Sequence, residues 1–268
     1  QSDTSVPVKK DLDYPTTRAD AAAGDTLHGT FVADPYRWLE NDTSKETAEW
    51  VKAQNAVTNA YLDKIPYRDS IAQRYEELFN FPKVSAPTKV GDLFFQYRNS
   101  GLQNQSVIYV RKGIDGEDQV FIDPNEIDTK GTTSIGLMGA SNDDKYMAVS
   151  VQKAGSDWQD IILWDLKTMK ELPDVLKWAK FSGVAWFKNG FFYSRYPEPT
   201  KGTELSASNE WQKVYYHTMG QPQENDVLVY EDKEEPLLYM GVSVTEGEEF
   251  ATLYISTGTD GFEQYYFD

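Results

Sequence analysis

The sequence predicts a mainly β protein, part of a β-propeller preceded by a short helical arm. Three observations predict it. Helical periodicity is confined to the first 84 or so residues. From about residue 85 onward, short aromatic and β-branched runs alternate with Gly, Asn, Asp and Pro. Those runs recur at a spacing near 50 residues, as propeller blades do.

In chain order, residues 1–30 are polar and aperiodic, and the run Ala19–Gly24 reads as loose chain. Such an arm either docks on something or stays mobile. Order is expected to begin at Phe31-Val32-Ala33-Asp34-Pro35-Tyr36-Arg37-Trp38-Leu39-Glu40. Thr43-Ser44-Lys45-Glu46 places a hydroxyl and a carboxylate three apart, a capping box at a helix start. Thr47, Trp50, Gln54, Val57 and Tyr61 then keep helical spacing, which predicts a helix over 44–63. Pro66 opens a second helix with Ile71, Tyr75, Leu78 and Phe79 on one side, and Phe81-Pro82 ends it. Two such helices are too little for a core of their own, so their apolar faces call for a partner.

The β region, 85–268, reads as repeated units. First runs begin at Asp92–Tyr97, Lys145–Ser150, Gly190–Ser194 and Glu249–Tyr254. Second runs follow at Val107–Val110, Ile161–Leu166, Val214–Met219 and Gln264–Phe267. Three units have a third segment, at Gln119–Asp123, Met169–Val175 and Asp226–Glu231. With Phe94, Tyr146, Phe191 and Phe250 as markers the intervals are 52, 45 and 59 residues. That makes about three and a half units, whereas propellers close with about four to eight blades. The expectation is a partial ring cut within its fourth blade. An irregular β-sandwich is the alternative on pattern alone.

Composition excludes several chemistries. The 268 residues hold 26 Lys+Arg against 43 Asp+Glu, a formal charge of -17, which would repel a phosphate backbone. With no Cys there is no disulfide framework and no thiol nucleophile. Two His leave little room for His-rich metal sites, and no cofactor or metal is expected. No stretch approaches 18 apolar residues, so no membrane-spanning helix is expected. The start at Gln1 fits a mature end left by signal-peptide removal, hence a periplasmic or secreted parent, with the cytoplasm as the alternative.

Catalytic patterns are missing. A serine hydrolase needs a Gly-x-Ser-x-Gly elbow, and Gly139-Ala140-Ser141-Asn142-Asp143 supplies only its first half, in a turn. His28 and His217 read as structural. Acidic neighbours such as Asp143-Asp144 and Glu234-Glu235 read as solvated turns rather than a glycosidase pair. Trp158, Trp164, Trp178, Trp186 and Trp211 are expected to pack between blades, and Lys177–Lys188 is a mixed surface.

Asp34-Pro35-Tyr36-Arg37-Trp38-Leu39-Glu40 with Val51-Lys52-Ala53-Gln54-Asn55 resembles the N-terminal signature of the prolyl oligopeptidase family of serine peptidases. Asn99–Val110, Gly155-Ser156-Asp157-Trp158, Lys170–Val175, Lys180–Trp186, Gln212–His217 and Glu235-Pro236 to Met240-Gly241 follow in the family's order, over about residues 14–268. The resemblance implies a seven-bladed propeller capping an α/β-hydrolase domain, cleavage of short peptides after proline, and an arm (1–84) that packs on the hydrolase domain.

It also implies that the second half of the propeller and the Ser-Asp-His triad lie outside this chain, which leaves no catalytic residue here and an inactive fragment. Phe181, Met240 and Thr259 would reach an apolar substrate subsite. The Thr259 position is Cys in some relatives, and Phe181 and Met240 read equally as blade core. Asp157 would pair with an Arg of the hydrolase domain. Partners are then proline-containing peptides and the rest of the enzyme, with no nucleic acid and no membrane. The rival readings are a non-catalytic propeller interaction module and, more weakly, a propeller glycosidase.

Overall fold

The computed structural model describes residues 12–258 and 260–267. Thr259 therefore lies outside the described residues. Packing divides the chain into two units, one running to Glu77 together with Pro199–Ala207, the other comprising Leu78–Glu198 and Ser208–Asp268.

In the first unit, β1 (Gly24–Leu27) and β2 (Thr30–Ala33) form a hairpin where only loose chain was expected. His28 and Gly29 both take positive φ, 50° and 82°, the turn whose twist matches two antiparallel strands. His28 thus has a turn-forming role.

A 3-10 turn, Arg37–Glu40, leads to α1 (Lys45–Leu62). The cap is Ser44, one residue later than the Thr43 box suggests, and its Oγ accepts from the Thr47 amide at 3.0 Å. The arm docks along this helix. The Tyr14 hydroxyl meets Thr58 at 3.1 Å, Gln54 donates to the Pro15 carbonyl at 3.2 Å, and the Trp50 indole donates to Thr17 at 2.9 Å. Arg18 pairs with Glu46 at 2.7 Å and lies over the Trp38 ring. The second helix, α2 (Arg68–Phe79), stops before Pro82 and leaves Ile71, Tyr75 and Leu78 exposed along one side.

The second unit is built of antiparallel meanders. The first comprises β3 (Lys83–Val84) and β4 (Thr88–Val90), both paired with β5 (Leu93–Asn99), then β6 (Val107–Lys112) and β7 (Gln119–Ile122). A one-turn helix, α3 (Pro124–Ile127), capped by Asp123, leads out of it. The second meander is β8 (Thr133–Ala140), β9 (Tyr146–Lys153), β10 (Gln159–Asp165) and the first half of β11 (Lys170–Phe187). The third is the second half of β11 with β12 (Gly190–Arg195), β13 (Lys213–Thr218) and β14 (Val227–Tyr230). The fourth is β15 (Leu238–Val244), β16 (Ala251–Thr257) and β17 (Asp260–Phe267).

One strand therefore serves two sheets. β11 pairs β10 as far as Ala179, which also pairs Arg195 of β12, and the pairing with β12 shifts register between Ala179 and Val184. Trp178 (φ 63°) and Phe181 (φ 53°) occupy the left-handed region at that break, where a bulky side chain is strained. The Lys177–Lys188 stretch, expected as mixed surface, is this bend.

The repeat extends to the backbone of its turns. The β4–β5, β8–β9, β11–β12 and β15–β16 turns each place a residue at positive φ: Gly91, Asp144, Lys188 and Glu248. Apolar side chains fill the spaces between successive sheets. Phe95, Ile108, Phe121, Met147 and Val149 join the first two, Ala148, Ile161, Leu163, Leu176 and Phe191 the second and third, and Phe192, Val214, Met240, Leu253 and Ile255 the third and fourth. Trp164 packs against the first of these cores and Trp186 lies within the second.

Candidate functional site

The bend in β11 builds the surface of greatest chemical interest. Because the chain leaves one sheet and enters another there, Phe181 swings outward and is 51% exposed. Its ring meets Tyr239 of β15 edge-on at 5.9 Å. Behind it, Lys180 lies over the rings of Trp158 and Phe181, at 5.0 and 5.5 Å. Trp158 in turn packs edge-on against Trp178 (5.5 Å) and Tyr196 (6.2 Å). Strain concentrated at an exposed aromatic cluster is a mark of a functional surface.

The sequence-predicted residues fall differently around it. Phe181 is on the surface. Met240 is 4% exposed, inside the core between the third and fourth sheets. Its backbone is held on both sides: the buried Gln212 accepts from its amide at 2.6 Å, and Ser194 donates to its carbonyl at 2.7 Å. The same Gln212 donates to the Lys180 carbonyl at 3.0 Å, so one amide side chain links the bend in β11 to β15. Asp157 is largely exposed, with Lys180 at 3.9 Å its nearest cation within this unit.

Sequence reasoning missed Tyr239, Lys180, Gln212 and Tyr196. Alternation along β15 was the available signal for Tyr239, since a neighbour of an inward-facing Met240 must face the other way.

The most strongly polar buried group lies within the third sheet. His217 on β13 is 1% exposed; its Nδ1 is 2.7 Å from Asp226 and its Nε2 is 3.1 Å from Asp174 on β11. The Tyr193 hydroxyl donates to Asp226 at 2.6 Å, and the Gly220 amide donates to Asp174. With a carboxylate on each side, the imidazole binds its proton more tightly than usual even though burial opposes the charge. Both nitrogens are occupied, which leaves neither to activate a nucleophile. Ser141, in the half-elbow turn, donates to Asp143 and accepts from the Tyr146 amide, holding the turn closed.

Residues 15–268 match the family description "prolyl oligopeptidase, N-terminal beta-propeller domain". The chain belongs to the prolyl oligopeptidase family. Among relatives of this family, the prolyl endopeptidase of Elizabethkingia meningoseptica is 39% identical over 255 residues, covering 95% of this chain and 36% of that protein. The dual function macrocyclase-peptidase of Galerina marginata is 33% identical over 270 residues, covering 90% of this chain and 36% of its own length.

Solved prolyl oligopeptidase structures agree. One prolyl endopeptidase, studied for inter-domain dynamics in catalysis and specificity, superposes with a TM-score of 0.83 at 30% identity over 94% of this chain and 38% of its own. A mutant prolyl oligopeptidase B from Galerina marginata, bound to a 35mer hydrolysis and macrocyclization substrate, gives 0.78 at 29% identity over 97% of this chain and 40% of its own. The chain thus spans little more than a third of the relatives it matches.

Proposed function

We propose that this chain is the N-terminal part of a serine endopeptidase that cleaves short peptides after proline, and that its propeller part filters and positions those peptides. The colinear family match over residues 15–268 carries this reading. In it, the four meanders are successive blades of a seven-bladed ring. The arm and helices of residues 1–84 belong with an α/β-hydrolase domain, which fits the exposed Ile71 and Leu78 on α2.

Acyl transfer by serine then belongs to the length the relatives have beyond this match, and the 268-residue chain is inactive by itself. Phe181 forms an apolar wall of a substrate subsite, with Met240 behind it as the support that fixes β15 and Thr259 as a third member. Asp157, exposed beside Lys180, is available to pair with an Arg of the hydrolase domain. A periplasmic or secreted location belongs to the same reading.

The test is hydrolysis of a Gly-Pro chromogenic substrate. The expected result is no turnover by the 268-residue chain and turnover by the complete protein that contains it. Turnover by this chain alone, or none by the complete protein, would overturn the reading.

A further inference from the structure

Acidic side chains outnumber basic ones by 43 to 26, so an arginine in this chain is well supplied with carboxylates. Arg18, Arg37, Arg68, Arg74, Arg98 and Arg111 each form an ion pair with one. Arg195, the last residue of β12, is the exception. It makes no ion pair among the described residues, and its Nε is buried with no hydrogen-bond partner. The guanidinium lies 4.3 Å from the centre of the Tyr215 ring on β13, a stacking that holds it in place. A partly buried charge without a counter-ion is costly, and a donor sealed from water calls for an acceptor.

A pocket of about 140 Å³ opens at this side chain, lined by Arg195, Tyr196, Pro197, Glu198, Lys213 and Tyr215. That volume holds one small group rather than a whole ligand. Lys213 is already paired, 2.6 Å from Glu231, which leaves Arg195 as the charge to be met. Glu198 is exposed and forms no ion pair with Arg195. A guanidinium's planar fork matches a carboxylate through two parallel bonds. The pocket adjoins the bend in β11: Arg195 pairs with Ala179, the Ser194 amide donates to Ser182 at 2.8 Å, and Tyr196 packs edge-on against Trp158.

We propose that the Arg195 pocket is a subsite for one carboxylate of a bound peptide, favouring substrates whose acidic side chain or free C-terminus reaches it. This rests on the peptidase reading above, though not on Phe181 or Met240, neither of which lines the pocket. An acid preference at one peptide position would stand out against the formal charge of -17, which repels acidic peptides as a whole.

The experiment uses the complete protein and the acetylated, amidated peptide Ala-Ala-Ala-Gly-Pro-Ala-Ala-Ala, each Ala replaced in turn by Glu or by Gln. The quantity read is the ratio of kcat/KM for the Glu and Gln members at each position, together with that for a free C-terminal acid against its amide. The expected outcome is one position, or the free terminus, at which the acid is favoured by roughly threefold to tenfold, the range for a charge-assisted bond in a partly open pocket. That ratio should fall to about one in Arg195→Gln and to an intermediate value in Arg195→Lys, which keeps the charge but loses the fork. No acid preference anywhere, or one that survives unchanged in either variant, overturns the proposal. A purely structural role for Arg195 gives that unchanged ratio, since it would slow the Glu and Gln peptides alike. Failure of the unmodified protein to cleave any of the peptides would instead overturn the peptidase reading, and this proposal with it.

Discussion

His217 Nδ1 lies 2.7 Å from Asp226 Oδ1, and the opposite ring nitrogen faces a second carboxylate, Asp174. A neutral imidazole has one N–H and cannot donate to both, so the arrangement is satisfied by an imidazolium. The groups facing the ring are Asp174 from β11, Asp226 ahead of β14 and, through Asp226, Tyr193 from β12. One charged side chain thereby joins three strands and the turn before a fourth.

That geometry sets a pH dependence. The imidazole holds its proton more tightly in the folded chain, so its stabilisation is fully present below the ordinary imidazole value of about 6.5. It is lost as pH rises through the raised folded value. Thermal unfolding followed across neutral to alkaline pH should show the midpoint falling, and His217→Gln should remove that slope. The variant should also cost about 3–5 kcal/mol, because two buried carboxylates lose their cation.

Gln212 serves the Lys180 carbonyl and the Met240 amide together. Gln212→Ala leaves both buried groups unpaired and should cost at least about 2 kcal/mol. Hydrogen exchange offers the sharper readout: the Met240 amide should lose protection well before the β9 and β10 amides do.

Phe181→Ala removes a half-exposed ring and should cost less than about 1 kcal/mol of stability. In the complete protein the same change should raise KM for extended prolyl peptides several-fold with kcat little altered. A loss confined to kcat would argue against a subsite at this residue.

Ser44 caps α1, and Ser44→Ala should destabilise the first unit by about 1 kcal/mol. Limited proteolysis should then cut within α1 earlier than in the parent chain, with β-sheet signals retained.

The elements legible in the sequence are those governed by local rules. Ser44 and Pro82 bound the helical segment because a hydroxyl satisfies free amides at a helix start and proline cannot donate within one. The runs at Leu93–Asn99, Tyr146–Lys153, Gly190–Arg195 and Ala251–Thr257 announced themselves by aromatic and β-branched composition between turns. Other strands escaped that pattern, two of them through glycine. Thr133–Ala140 carries Gly136 and Gly139, and Leu238–Val244 places Gly241 at its centre; glycine blurs the alternation that marks a strand.

The mainly β class, the near-50-residue repeat, the family and the lack of a Gly-x-Ser-x-Gly elbow are all readable from residue order. Which side chains meet is a property of the folded chain. Asp174 lies 43 positions from His217, Gln212 reaches 32 positions back and 28 forward, and Tyr239 meets Phe181 across two sheets. No local periodicity encodes such pairs, because they arise where β11 breaks register and hands the chain from one sheet to the next. That same break sends Phe181 outward while the bonds from Gln212 and Ser194 hold Met240 within, so two residues that read alike in sequence part company in the fold.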